Sequence, residues 1–487
     1  MNQQLFESRA RFGEGIPSLP GLEFGKWEEF RKAVVAGYGT DSAALQGGGA
    51  LRIESLERTL MSVVQTHEDF VLFNRLKRSA ATATVDEWTE KNDIGGRLGG
   101  SFNSESGNIK EFTGQFARKV DLVKYLMTRR SVTVVQMAMN TMVSAKAEEE
   151  INGTLQLLTD AEWASFYGNS AVVPEEFDGI ETKIRALNSS DHVINANGLP
   201  LDQVGIEKIL AAASRVRSLG NFGRLSDIFL SNDAQTDLDL KLDPAWRVSL
   251  SDVEKGGTSL GSPVVGIRTS FGNIKNNPDI FIQEGGIPPQ ATNPTQHVTS
   301  NPTKPNGVAV AVASDAASLF GANHAGNYYW GVTSVSKEGE SDMTMTSQTA
   351  VAQGEKATLT ITKPTANDAT GYKIYRSRKN GSNSPADMRF MYRVPDSGGA
   401  TTVHVDLNDE IPGTSKAFLL NMNTSYEAIG WRQLLPLTRF QLYPTASAID
   451  PWAMLLFGYL RVTKPKQHLM IKNILPNTSK LVWDPFG

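Results

Sequence analysis

The segment Gly257-Thr-Ser259-Leu-Gly261 has the G-x-S-x-G spacing of a hydrolase nucleophile elbow, in which a strand delivers the serine to a sharp turn and a helix follows. The flanking residues do not fit that motif. The polar run 251–256 precedes it, and Ser262-Pro263 and the strand-like pair Val264-Val265 follow it. We therefore expect Ser259 to be a residue of a turn without a catalytic role.

Other kinds of chemical site find no support in the residue spacing. The six histidines lack the H-x-x-x-H and H-E-x-x-H spacings of zinc sites, and the absence of cysteine excludes thiolate metal sites, disulfides and cysteine nucleophiles. No phosphate-binding loop motif occurs. Asp406, Asp409 and Glu410 could act as glycosidase carboxylates, but we expect them to decorate a turn. The sequence predicts a protein that is not an enzyme, with no catalytic residue, metal or cofactor.

Composition places the chain among ordinary globular proteins. Its 487 residues suggest about three compact units, since domains usually have roughly 150 residues. Hydrophobic residues make up 40% and charged residues 21%, and the net charge is −4, from 48 Lys and Arg against 52 Asp and Glu. This balance argues against a dedicated nucleic-acid binder. No secretory signal or membrane-length apolar run occurs, so we expect a soluble chain with no membrane partner.

The first part of the chain combines an arm with a projecting loop. Residues 1–50 lack periodicity and predict an extended arm, followed by a helix near 55–64. Strands are predicted over 81–92 and 116–122. The stretch between them, Asp93 to Gly114, contains six glycines and cannot form a core of its own, so it should project as a long hairpin loop.

Two helices organise the middle of the chain. The stronger one is predicted over Ser144–Gly168, and at about 1.5 Å per residue it would span roughly 35 Å. A second helix is predicted over Leu201–Leu219, and Gly220 ends it. The apolar stripe of the first helix consists of Ala147, Ile151, Leu155, Leu158 and Ala161. Short strands follow at Asp227–Leu230, Val264–Thr269 and Asp279–Gln283, which makes this region α+β.

A proline-rich linker at 285–305 marks the clearest boundary. Beyond it, turn signals separate short β-like runs that predict an all-β sandwich. These runs are 308–312, 327–336, 357–362, 371–376, 389–394 and 401–406. After Ile411-Pro-Gly413 long apolar segments return at 431–442 and 451–462. The sandwich is therefore predicted to be inserted into a host domain that resumes after it.

Several segments resemble one known family. Glu162–Ser170, Asp178-Gly179 and His192–Gly198 resemble the middle of major capsid proteins from large contractile-tailed bacteriophages related to the Twort-like staphylococcal phages. The end of the chain is similar to the same family at 433–437, 442–446, 457–466 and 471–474. The resemblance covers most of residues 40–480 and weakens in the arm and the insertion.

The resemblance implies an α+β fold, the Hong Kong 97-type capsid fold, carrying an inserted immunoglobulin-like or fibronectin III-like sandwich. Tyr328–Ser341 resembles late fibronectin strands, whereas Thr370–Arg376 and Asp406–Gly413 resemble earlier ones, so the strand order is permuted. The implied parts are an N-terminal arm (1–60), a peripheral domain (61–142) with an extended loop (93–117), a spine helix (143–170), an axial domain (171–286), the insertion (287–420) and a C-terminal return completing both host domains (421–487).

The implied function is structural. Family members form hexamers and pentamers that close an icosahedral shell around double-stranded DNA, which touches the inner face without sequence specificity. The implied partners are therefore other copies, a portal protein, a separate scaffolding protein, decoration proteins and DNA. The chain would be assembled in the host bacterial cytoplasm and reside in the virion.

The loop and the neighbouring basic strands are the expected intersubunit contacts, held without covalent crosslinks. The residues are Arg97, Lys110, Glu111, Arg118, Lys119, Arg129 and Arg130. Contact with a polyphosphate is the other interpretation of these basic clusters. Two alternatives to the capsid function remain. One is an encapsulin-like bacterial shell, and the other is a secreted carbohydrate-active enzyme with a fibronectin-like accessory domain.

Overall fold

The computed structural model describes residues 67–96, 98–139, 144–218, 220–240, 264–282, 302–366, 368–425, 427–444 and 447–487. The predicted arm, the helix near 55–64, Ser259 and most of the predicted linker lie outside these ranges. Within them the chain forms seven α-helices: α1 Val71–Arg75, α2 Val134–Ala138, α3 Ala145–Tyr167, α4 Ile180–Arg185, α5 Leu201–Arg217, α6 Asn232–Leu240 and α7 Asn477–Val482. No helix among the described residues is long and apolar enough to cross a membrane.

The same ranges contain 22 strands, which pair into six sheets. In chain order they are β1 Arg78–Ala80, β2 Val85–Asp93, β3 Gln115–Leu122, β4 Lys124–Thr133, β5 Val193–Asn195, β6 Asp227–Leu230, β7 Gly266–Thr269, β8 Gly272–Pro278, β9 Gly307–Ser314, β10 Gly326–Tyr328, β11 Trp330–Ser336, β12 Gly339–Glu340, β13 Thr344–Met345, β14 Thr349–Val351, β15 Glu355–Thr362, β16 Gly371–Ser377, β17 Met388–Pro395, β18 Thr401–Asp406, β19 Ser415–Leu420, β20 Ile429–Gln441, β21 Ile449–Val462 and β22 Leu469–Ile474.

The long helix α3 matches its predicted span, but its buried face differs from the predicted stripe. Leu158 and Ala161 are buried, whereas Ile151 is 53% exposed. Gly153 explains the difference, because a Cβ there would lie 2.6 Å from Sδ of Met454, so this side of the helix approaches β21 closely. Ile151, two residues earlier, is rotated by about 200° and points away from the sheet.

A four-stranded sheet joins the two ends of the described chain. Its order is β1-β20-β21-β4, with β1 parallel to β20 and the other pairs antiparallel. The long apolar segments of the C-terminal return are thus long strands. Trp431 and Trp452 are fully buried in the core shared with α1 and α3. Burying a large apolar side chain contributes about 1.5–3 kcal/mol, so the C-terminal return is a major part of this core.

A second, six-stranded sheet has the order β5-β22-β19-β6-β8-β7 and packs with α5 and α6. Two expectations are corrected here. The strand predicted at Asp279–Gln283 is absent from its described residues, 279–282, because the Asp279 carboxylate accepts the N–H of Phe281 in a turn that ends β8. The insertion boundary at 420 is too late, because β19 pairs with β6 and β22 of the host. The return therefore begins before residue 415.

The region between residues 307 and 406 forms three sheets. One has the order β18-β15-β9, another has the order β12-β11-β16-β17 with β13 also beside β11, and the third consists of β10 and β14. The two larger sheets share one core. Trp330, Tyr372 and Ile374 from the second sheet meet Leu359 and Ile361 from the first. Every β-like run predicted here contains a strand of the structure, since alternating residues along each run pack into this core.

Candidate functional site

A β-hairpin formed by β2 and β3 carries the predicted projecting loop. The strands pair from Val85 opposite Leu122 to Asp93 opposite Gln115, and residues 94–114 connect them. They form a two-stranded sheet of their own. Gly95 requires its glycine, because its φ is +85° and a Cβ there would lie 2.6 Å from the carbonyl oxygen of Thr113. The hairpin predicted from the glycine-rich segment is confirmed.

The base of the hairpin is fixed to the host by a buried carboxylate. Asp86 accepts two hydrogen bonds from Arg432, from Nε at 2.8 Å and Nη2 at 2.9 Å, and one from the Tyr459 hydroxyl at 2.5 Å. The bond from Arg432 holds the pKa of Asp86 below its ordinary value. A planar guanidinium bound through two nitrogens fixes direction as well as distance. The hairpin therefore leaves the host at a defined angle.

A second anchor lies on the other strand of the hairpin. Lys183 of α4 donates to Asp121 at 2.8 Å and lies 3.5 Å from Asp178. Burial raises the pKa of Asp121, while Lys183 acts in the opposite direction. Together the two anchors hold both strands of the hairpin at its base, so a force on the loop is transmitted to the rest of the chain.

The loop of the hairpin exposes large apolar side chains that nothing in the described chain covers. Ile94, Leu98, Phe102 and Ile109 are between 81% and 99% exposed. Isolated apolar residues on a surface are common, but four on one protruding loop form an exposed apolar surface of the kind that binds another protein. The arrangement suits burial against another protein surface and has no feature of a catalytic centre.

Six of the seven predicted contact residues lie in the described ranges, and they fall into two places. Lys110 and Glu111 lie exposed in the loop, and Arg118 and Lys119 lie exposed on β3. Arg129 and Arg130 are on β4, in the four-stranded sheet. Arg97 lies outside the described residues.

Two of these arginines already have partners within the chain. Arg118 pairs with Glu87 on the facing strand, and Arg130 donates to Glu149 of α3 at 3.2 Å and to Gln156 at 2.6 Å. Their contact with a neighbouring subunit stays a prediction.

A buried ionic cluster joins the insertion to the host, and sequence reasoning missed it. Glu410 pairs with Arg185, lies 3.7 Å from Nζ of Lys416 and lies 3.6 Å from Nζ of Lys472. Lys416 also binds Glu181 at 2.8 Å. Glu410 was expected to decorate a turn, but it is buried, and the charges of three cationic side chains compensate for its burial.

The other two carboxylates of that expected turn have different positions. Asp406 is fully buried inside the insertion, where it accepts from Arg376 Nη1 at 2.7 Å and from the indole N–H of Trp330 at 3.0 Å. The expectation of an exposed turn residue is therefore wrong for Asp406. Asp409 is half exposed and pairs with Lys472. Asp406, fully buried and paired with Arg376, lacks the solvent access that a glycosidase carboxylate needs.

A further contact fixes the insertion to the end of α3. Arg393 of β17 binds Glu176 through two nitrogens, at 3.0 and 2.9 Å, and also donates to the carbonyl oxygen of Tyr167. Its guanidinium lies 5.0 Å from the ring centre of Trp163. The pair brings together residues more than 200 positions apart, so no local pattern in the sequence could have indicated it.

Among the residues that the structure describes, no cluster of His, Asp or Glu is arranged to hold a metal ion.

The known proteins that this chain resembles in sequence are phage capsid proteins. No family model matches the chain. It is 25% identical over 468 residues to the major capsid protein of Staphylococcus phage S25-3 and to that of Staphylococcus phage K. These matches cover 92% of this chain and 95% of each relative.

Two solved structures are also similar in part. The capsid of a native GTA particle has a TM-score of 0.46 at 9% identity, with 90% of this chain and 100% of the other covered. The SrpI encapsulin of Synechococcus elongatus has a TM-score of 0.41 at 8% identity, with 90% and 96% covered. The match to the two Staphylococcus phage proteins, which extends over nearly the whole of both sequences, confirms the resemblance identified above: the chain is similar to the major capsid proteins of Staphylococcus phages.

Proposed function

We propose that this chain is the major capsid protein of a tailed phage and assembles into hexamers and pentamers that form the icosahedral head shell. The observation that carries the proposal is the end-to-end match to two phage major capsid proteins, 92% of this chain against 95% of each relative. The protein thus acts through self-association and not through catalysis. Portal, scaffolding and decoration proteins are its further partners, and double-stranded DNA contacts the inner face.

The fold proposed for this function is the Hong Kong 97-type capsid fold. The long helix α3 is its spine, and the hairpin is its extended loop. The four-stranded sheet belongs to the peripheral domain (61–142) and the six-stranded sheet to the axial domain (171–286), each completed by strands after residue 414. The N-terminal arm (1–60) extends along another subunit.

An immunoglobulin-like assignment of the insertion rests on its strand pairing. In such a sandwich the B strand lies between A and E, and the F strand lies between C and G. Here β15 lies between β9 and β18, while β11 lies between β16 and the short strands β12 and β13. The equivalents of F and G therefore precede the equivalent of B in the chain, which agrees with the permuted order expected from the sequence.

The hairpin supplies the mechanism of assembly. Its apolar loop lies across an adjacent subunit, where burial of Leu98, Phe102 and Ile109 provides most of the free energy, and charged residues set the register. The two anchors at the base of the hairpin connect this contact to the rest of the subunit. Many repeated contacts of this kind then resist the pressure of packaged DNA.

Deleting residues 95–113 tests this mechanism. Because Asp93 pairs with Gln115, the deletion leaves Ile94 and Gly114 as a two-residue connection, and Ile94→Asn converts it into an Asn-Gly hairpin turn. The variant should fold, as circular dichroism would show, yet build no shells when expressed with the neighbouring phage genes and viewed by electron microscopy. A full-length variant with Leu98, Phe102 and Ile109 changed to serine separates loop length from apolar contact. Normal shell yield from both variants would refute the mechanism.

Nuclease protection distinguishes the proposed function from the encapsulin-like alternative. Native particles of a phage head should protect double-stranded DNA, whereas a bacterial cargo shell should contain protein and no genome. A chain that never assembles, alone or with its neighbouring gene products, would refute both.

A further inference from the structure

The spine helix α3 carries a fully buried carboxyl group, Glu162. Its two oxygens accept the backbone N–H groups of Leu72 and Phe73 in α1, each at 2.7 Å. These bonds tie the beginning of the described chain to α3. A buried carboxylate normally has a cation as its partner, because removal of a charge from water costs several kcal/mol.

The side chain next to Glu162 is a second carboxyl group. Asp279, at the end of β8, is 1% exposed and shares a side-chain hydrogen bond with Glu162. Its Oδ1 accepts the N–H of Phe281 at 2.9 Å, and its buried Oδ2 has no other donor among the described residues, so it is the oxygen free to accept a proton-mediated bond from Glu162. Two carboxyl groups can hydrogen-bond only when one of them holds a proton.

The surroundings favour a proton over a second negative charge. Phe70 stacks on Phe281 with ring centres 5.7 Å apart, which keeps water from the pair. Asp69, in the turn before α1, adds negative charge near Asp279. The cation of α1, Arg75, is bound to Asp227 of β6. The charged group that acts most strongly on Glu162 is the carboxylate of Asp279 and not a cation.

We propose that Glu162 and Asp279 share a proton and form a pH-dependent latch that holds α1 against α3. Burial raises the pKa of Asp279 to about 6. Burial, reinforced by the charge of Asp279, raises the pKa of Glu162 well above its ordinary value. The proton is therefore harder to remove from this pair than from an ordinary carboxyl group.

The direction of the pH effect follows from these raised pKa values. In the closed state, α1 is bound to Glu162 of α3. A carboxyl group whose pKa is raised in this state stabilises it. The stabilisation is complete below the ordinary pKa of the group and is lost as the pH rises through the raised pKa. Opening the latch above the ordinary pKa of a carboxyl group thus releases the shared proton. The latch therefore sets how firmly α1, near the beginning of the described residues, is held against α3. Any consequence for a shell rests on the proposed function, whereas the latch itself does not.

Hydrogen–deuterium exchange of the full chain tests the latch. After correction for intrinsic exchange, protection of a peptide covering residues 70–76 should fall as the pH rises from 6 to 8, by at most about tenfold per pH unit, since one proton is released on opening. Glu162→Gln keeps a donor toward Asp279 and an acceptor toward α1 but cannot ionise, so its protection should stay constant over this range. Glu148→Gln, on the same helix and half-buried, should behave as the unchanged chain does.

A second variant keeps the test decisive if Glu162→Gln does not fold. Asp279→Asn removes the neighbouring charge, so Glu162 should ionise at lower pH and the loss of protection should level off earlier. A change smaller than twofold in the unchanged chain between pH 6 and 8 would overturn the latch, as would a Glu162→Gln or Asp279→Asn profile identical to it. Shell formation is not measured, so failure of the capsid proposal would leave this result unaffected.

Discussion

Replacing Glu410 by glutamine should destabilise the chain by about 3 kcal/mol. Burial alone would raise the pKa of Glu410, but Lys416, Arg185 and Lys472 outweigh it and lower the pKa from 4.5 to about 2. At about 1.36 kcal/mol for each pH unit, this difference corresponds to about 3 kcal/mol of stabilisation. Removing one partner from a buried ion pair typically costs about 3–5 kcal/mol, which agrees. Glutamine preserves the shape, so the loss isolates the charge.

Thermal unfolding followed by tryptophan fluorescence measures this effect. The glutamine variant should melt several degrees below the unchanged chain at pH 7. Because the pKa of Glu410 is lowered in the folded state, its contribution is present above pH 4.5 and fades as the pH falls toward 2, so the two proteins should converge in acid. Glu338→Gln, at a half-exposed carboxylate in the same insertion, is the matched control and should change little. Equal melting temperatures for Glu410→Gln and Glu338→Gln at pH 7 would refute the reasoning.

Two further substitutions test how the insertion is built and attached. Asp406→Ala leaves the buried guanidinium of Arg376 without its carboxylate, which should cost about 3–5 kcal/mol and appear as a lower melting temperature; a loss below about 1 kcal/mol would contradict this role. Arg393→Met keeps much of the apolar contact with Trp163 but removes the bidentate pair with Glu176, so hydrogen exchange should rise in β17 and in residues 169–177 together. A rise confined to β17 would show that the two sides are not coupled there.

The sequence predicted those parts of the fold that depend on local patterns. Alternating residues indicated the strands of the insertion, and the glycines between 95 and 114 indicated the hairpin loop, because both patterns act over a few neighbouring residues. The strand β8, Gly272-Asn-Ile-Lys-Asn-Asn-Pro278, was missed because few of these residues favour strands. It forms since it is held between β6 and β7. Its pairing partners, and not its composition, decide its conformation.

The functional features of the chain also differ in whether local sequence predicts them. The loop was predictable because a glycine-rich segment of that length cannot build a core. The partners of Glu162 and Glu410 were not, since Glu162 meets α1 about 90 residues away and Glu410 meets Arg185 across 225. From the sequence alone both glutamates look like ordinary surface charges, because only the folded chain places their partners beside them. Buried charged groups of this kind are specified by tertiary structure alone.

The contacts between the insertion and its host determine how the insertion behaves in a shell. A domain joined only by two linkers would move independently. Here Val335 of the insertion packs with Val172 and Val173 of the host, and a Cβ on Gly371 would lie 2.5 Å from Val172, so the two surfaces approach as closely as parts of one core.

Polar contacts reinforce that packing from the other side. Near the end of the chain, Trp483 donates its indole N–H to Asp387 of the insertion at 3.1 Å, and Phe486 stacks on His324 with ring centres 4.9 Å apart. With the Glu410 cluster and Arg393, these contacts hold the insertion at separate points. In the proposed shell every copy therefore presents its insertion in one fixed orientation, so any partner bound by it would form an ordered array and not a mobile layer.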